Sequence, residues 1–126
     1  MAAINRLLIV DDTQEITDLV EVFAQAAGYE VLSINDSKLF EQALDQIKPT
    51  VIFLDMTMPG RDGMALIGSL ASSNYPGRVV IMSGSDLSAV KTRSTEIRSL
   101  ILSAVLLKPF RRQTVVELLK NLSVTQ

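Results

Sequence analysis

The chain has 126 residues, of which 48% are hydrophobic, 21% charged and 5% aromatic, enough for one domain with a real core and too apolar for a disordered segment. A net charge of -2 argues against nucleic acid or an anionic membrane surface as partner. With no cysteine and no histidine, the chain has no disulfide framework, no thiolate chemistry, and neither the commonest general base nor the commonest zinc ligand.

No apolar run approaches the ~20 residues of a membrane-spanning helix, and no signal peptide is visible, so the expectation is a cytoplasmic protein. Charge is unevenly spread. Residues 1–63 carry four Lys/Arg against eleven Asp/Glu, a balance of -7, whereas residues 64–126 carry eight against three, a balance of +5. That division points to an acidic site in the first half and a basic partner surface in the second.

Short β-rich runs alternate with helical periods five times. Leu7 to Val10 is an apolar strand stopped by Asp11. Ile16, Leu19, Val20, Phe23 and Ala27 then recur at the spacing of one helix face, and Gly28 is placed to end the helix in the left-handed region. Val31 to Ile34, more polar, is expected at the sheet edge; Asp36 or Ser37 can cap a helix carrying Leu39, Phe40, Ala43, Leu44 and Ile47, closed by Pro49.

Val51 to Leu54 is apolar on both faces, as a central parallel strand must be, and ends at Asp55. A loop with Pro59, Gly60 and Gly63 precedes a helix bearing Leu66, Ile67 and Leu70. Val79 to Met82 is the fourth strand, ending at Ser83-Gly84, and a fourth helix is expected within Leu87 to Leu100. Ala104 to Leu107 forms the fifth strand, closed by Lys108-Pro109, and Thr114 to Leu122 the last amphipathic helix.

Apolar strands alternating with helices predict an α/β fold: a doubly wound, five-stranded parallel sheet, order 2-1-3-4-5, flavodoxin-like, as one domain over residues 1–126. In such a sheet all strand ends share one edge. Asp11 and Asp12 after strand one, Asp55 after three, Ser83 after four and Lys108 after five therefore meet at one crevice, beside the point where the strand order reverses. Singly, each has a plain explanation; Asp12 with Glu15, for instance, fits a capping box. Together, three carboxylates repel strongly unless a cation sits among them, and an all-oxygen set suits Mg²⁺. Phosphate chemistry follows from that ion: Asp55 as nucleophile forming an acyl phosphate, Lys108 as compact positive charge, Ser83 as hydroxyl donor.

The runs LIVDD (Leu8–Asp12), VIFLDMTMPGRDG (Val51–Gly63), VVIMSGS (Val79–Ser85) and KPF (Lys108–Phe110) resemble the receiver domain of bacterial response regulators over nearly the whole chain. The resemblance implies a signalling switch and not an enzyme for external substrates. In it Asp55 accepts phosphate from a phosphohistidine of a sensor kinase or histidine phosphotransfer protein. Asp12 binds Mg²⁺ directly, Asp11 through water, and Asp55 with the backbone carbonyl of Thr57 completes the protein ligands. Ser83 contacts the phosphoryl group, Lys108 pairs with it, and the Lys108–Pro109 bond is cis.

Two departures from the family pattern concern the readout. Val105 stands where receivers commonly carry an aromatic ring, and Asp86 to Ala104 lacks the usual Gly-Ala and looks longer. Lys91, Arg93, Arg98, Arg111 and Arg112 make residues 83–112 a candidate surface for an acidic partner or a second copy of the domain. Two rival readings remain. A phosphatase of the haloacid-dehalogenase kind needs a second Asp where Thr57 stands; a flavodoxin-like binding or adaptor module would need no Mg²⁺ and carries no G-x-G-x-x-G after strand one here.

Overall fold

The computed structural model describes residues 4–56, 63–83 and 102–123. Their strands are β1 (Arg6–Val10), β2 (Glu30–Ile34), β3 (Val51–Asp55), β4 (Arg78–Ser83) and β5 (Leu102–Leu107). Their helices are α1 (Gln14–Ala26), α2 (Phe40–Ile47), α3 (Gly63–Ser72) and α4 (Arg112–Leu122), the last being the expected C-terminal helix. All strand pairs are parallel and the order is β2-β1-β3-β4-β5, the doubly wound sheet that the alternating pattern predicts. β5 begins at Leu102, two residues earlier than expected, and the β4–β5 register shifts between Val79 and Val80.

The two-residue period of the strands divides the core into two layers. Leu8, Val10, Ile52, Leu54, Val79 and Ile81 pack with Phe40 and Ala43 of α2 and Leu66, Ile67 and Leu70 of α3. Leu7, Ile9, Val51, Phe53, Val80 and Met82 face the other way, onto Val20, Phe23 and Ala24 of α1 and Val115 and Leu119 of α4. Every residue of β3 is buried, and each large apolar side chain so buried contributes about 1.5–3 kcal/mol. Helices on both faces are what such a strand requires.

Local chemistry sets the element ends. Gly28 takes φ +87, its N–H bonds the carbonyl of Gln25 at 3.0 Å, and the Tyr29 N–H reaches back to Ala24 at 3.0 Å. This is a Schellman ending, and it delivers the buried Tyr29 ring to the core. Asp36 accepts from the Lys38 N–H at 2.9 Å, opening a 3₁₀ turn over Ser37–Leu39 before α2. Leu39, expected on the buried helix face, lies in that turn and is exposed, because the tighter winding rotates it off the α-helical stripe. The helix expected within Leu87 to Leu100 lies outside the described residues. No helix among the described residues is long and apolar enough to cross a membrane.

Candidate phosphoryl and metal site

Four strand ends build the site. β1 delivers Asp11, which is fully buried; β3 ends in Asp55, 2% exposed; β4 ends in Ser83, 1% exposed. Beyond β5, the Lys108 N–H donates to the Ser83 carbonyl at 2.8 Å, extending the β4–β5 ladder by one rung and setting Lys108 beside Ser83. The Lys108–Pro109 bond is cis, as the family resemblance implied.

Carboxylate oxygens of Asp11, Asp12 and Asp55 lie within 4.8 Å of one another, two of the side chains being buried and Asp12 exposed. At that separation mutual repulsion is on the order of a few kcal/mol per pair before any cation is counted. The Lys108 ammonium offsets part of it, 2.7 Å from Asp11 Oδ2 and 3.7 Å from Asp55 Oδ1. Among the described residues, one positive charge stands against three negative, which leaves that part of the cluster short of cations. Every donor is an oxygen, the chemistry of a hard divalent ion, so the residues fit Mg²⁺.

The structure thus brings Asp11, Asp12, Asp55, Ser83 and Lys108 to one edge, while Thr57 and its carbonyl lie outside the described residues. Asp12 does not cap α1: the N-cap is Thr13, without a side-chain capping bond, and Asp11 Oδ1 accepts from the Thr13 N–H at 2.9 Å. A residue not singled out from the sequence also touches the site. Asn35, just past the end of β2, donates from Nδ2 to the Asp11 backbone carbonyl at 2.7 Å. The signal was available, since β2 neighbours β1 and its end shares the same edge.

A parallel sheet of this order, with acids at the β1 and β3 ends and a lysine after β5, gathers its charged chemistry at one edge. The family model for the response regulator receiver domain matches residues 7–120, and the chain belongs to that family, the receivers of two-component signalling. The positive alginate biosynthesis regulatory protein of Pseudomonas aeruginosa is 33% identical over 123 residues, covering 93% of this chain and 46% of that protein. Regulatory protein VanR of Enterococcus faecium is 29% identical over 110 residues, 85% of this chain and 45% of that one. The chain therefore spans less than half the length of these two regulatory proteins. It spans 96% of the chemotaxis protein CheY of Listeria monocytogenes, at 25% identity. Among solved structures, chemotaxis protein CheY4 of Vibrio cholerae superposes with a TM-score of 0.82 over 96% of this chain and all of that one, at 24% identity, which bears on the fold alone.

Proposed function

We propose that the chain is a phosphorelay switch whose Asp55 accepts a phosphoryl group from a phosphohistidine of a sensor kinase or histidine phosphotransfer protein, with Mg²⁺ bound at Asp11, Asp12, Asp55 and the Thr57 carbonyl. The observation that carries this reading is that buried Asp55 and buried Asp11 lie together at the strand ends, both facing the Lys108 ammonium. A buried carboxylate cluster short of positive charge is poorly placed for structure alone and well placed to receive a cation with a phosphoryl group.

In the transfer, an Asp55 carboxylate oxygen attacks phosphorus in line. The P–N bond breaks, its electron pair returns to the imidazole, which leaves neutral with its other nitrogen protonated, and an acyl phosphate forms. A carboxylate nucleophile has no proton to lose, so the transfer calls for no general base. Lys108 is within reach of Asp55 and can follow the phosphoryl oxygens as they arrive, exchanging the Asp11 oxygen for them. The Ser83 hydroxyl, at the neighbouring strand end, donates to the same group. When bound, Mg²⁺ neutralises the acids and the transferring oxygens. The added charge of about -1.5 to -2 is then read out through residues 83–112, where Arg111 and Arg112 are exposed, by an acidic partner or a second copy in the cytoplasm.

Intact-mass measurement after incubation with acetyl phosphate and Mg²⁺ tests the assignment. Wild type should gain ~80 Da, one phosphoryl group, and Asp55→Asn should gain nothing. A gain in the Asn variant would move the acceptor elsewhere.

A further inference from the structure

The Asp11 backbone is held by the end of the edge strand through both peptide units that flank its Cα. Its N–H donates to the Ile34 carbonyl at 3.2 Å, and its carbonyl accepts from Asn35 Nδ2 at 2.7 Å. The same amide lies 3.5 Å from Oγ1 of Thr17, a fully buried residue of α1 whose hydroxyl donates to the Gln14 carbonyl at 3.0 Å. Asn35 therefore ties the end of β2 to both the β1–α1 turn and the first turns of α1.

The carbonyl it holds matters because of peptide planarity. The Asp11 carbonyl and the Asp12 nitrogen belong to one rigid plane, so fixing the carbonyl fixes the plane from which the Asp12 Cα departs. Asp11 needs little of this help: its side chain is buried, bonded to the Thr13 N–H and paired with Lys108. Asp12 is exposed and does not cap the helix, yet its carboxylate belongs to the cluster. Of the three acids, it is the one whose direction rests most on its backbone.

We propose that Asn35 is a positioning residue for the divalent-cation site, acting through the Asp11–Asp12 peptide to hold the Asp12 carboxylate towards Asp11 and Asp55. The inference rests on the metal reading above. Partners one step behind the ligands commonly set metal affinity by 10-fold or more, and Asn35 occupies that place through the main chain and not through a ligand side chain.

Mg²⁺ titration by calorimetry, with metal-free urea melts alongside, tests it on wild type, Asn35→Ala and Asn35→Asp. Wild type that binds no Mg²⁺ would sink the metal reading itself, a result distinct from failure of this inference. With wild type binding, Asn35→Ala should weaken Mg²⁺ about 10-fold while its metal-free midpoint stays close to wild type, since Asn35 is exposed. Asn35→Asp keeps the shape, loses the donor and adds a negative charge. It should weaken binding too, whereas a merely electrostatic role would tighten it. Unchanged affinity in Asn35→Ala, affinity lost only in step with the metal-free midpoint, or tighter binding in Asn35→Asp would each overturn the proposal.

Discussion

The two edges of the sheet each hold an ion pair, and the pairs are built on opposite terms. At the edge where the strands begin, Arg6 Nε meets Glu30 Oε2 across the β1–β2 pair at 3.2 Å, with side chains 37% and 65% exposed. At the edge where they end, Lys108 meets Asp11 at 2.7 Å, with side chains 20% and 0% exposed. The first is a solvated pair of the kind worth about 0–1 kcal/mol. The second contains a carboxylate wholly removed from water, a cost that stability alone would favour replacing with an apolar contact. Two further acids stand beside it and no second cation is within the described cluster. The contrast is between a solvated pair and a buried one crowded by further acids, the arrangement on which the proposed cation and phosphoryl site rests.

The largest expected effect comes from removing the buried partner. Lys108→Met removes the ammonium that both Asp11 and Asp55 face, and breaking a buried pair from one end costs about 3–5 kcal/mol. Because Lys108 is a fifth exposed, the loss should fall at the low end, about 3 kcal/mol in urea melts with EDTA. Millimolar Mg²⁺ should return more stability to this variant than to wild type, since Lys108 no longer competes for the Asp11 oxygen. Equal melts of variant and wild type in EDTA would reduce this pair to the standing of Arg6–Glu30.

A middle case asks what ionising a buried hydroxyl costs. The Tyr29 hydroxyl donates to the Leu119 carbonyl at 2.6 Å, joining the end of α1 to α4, and burial pushes its pKa up from 10.0 to about 12. A raised folded-state value means the contribution is complete below pH 10 and is lost as pH climbs from 10 towards 12. Tyr29→Phe should lower stability by about 1 kcal/mol at neutral pH, the usual net worth of a hydrogen bond. The gap between the two proteins should then narrow across that alkaline window. Tyr75, also raised by burial, is present in both and cancels in the difference. A gap that is constant with pH would show that the phenol is not excluded from water as its burial indicates.

Strand order and the convergence of Asp11, Asp12, Asp55, Ser83 and Lys108 were legible because both follow from rules that do not need side-chain detail. Apolar runs such as Val51–Leu54 require cover on two faces, and parallel strands must end together. What periodicity missed depends on small rotations. The expected α1 stripe included Leu19, which is 42% exposed, while the buried set is Thr17, Val20, Phe23 and Ala24, turned round the helix towards a polar residue. Thr17 is buried because its hydroxyl finds the Gln14 carbonyl, a bond no hydropathy pattern encodes. Asp12 with Glu15 matched a capping box, but the chain enters the helix one residue later, at Thr13. Which acid Lys108 prefers is likewise a matter of side-chain distances no pattern encodes, 2.7 Å to Asp11 against 3.7 Å to Asp55, and the structure favours Asp11.

The smallest effect is expected at the exposed edge, and its salt dependence is the sharpest test of the comparison. Glu30→Gln removes the charge yet keeps an oxygen that can accept from Arg6 Nε. The loss should be under about 0.5 kcal/mol at low ionic strength. Raising the salt from 0.1 M to 1 M shortens the screening length from about 10 Å to about 3 Å, which should erase most of that difference. Asp11 is fully buried, so the diffuse screening of a monovalent salt reaches it less, and in EDTA the cost of Lys108→Met should respond less to the same salt. Urea melts of the two variants at both salt concentrations give a direct ratio. If Glu30→Gln costs as much as Lys108→Met, or if salt relieves both in equal proportion, burial is not what distinguishes the two pairs. The acidic cluster at the strand ends would then be an ordinary surface feature, and the reading of that edge as a prepared cation and phosphoryl site would lose its electrostatic basis.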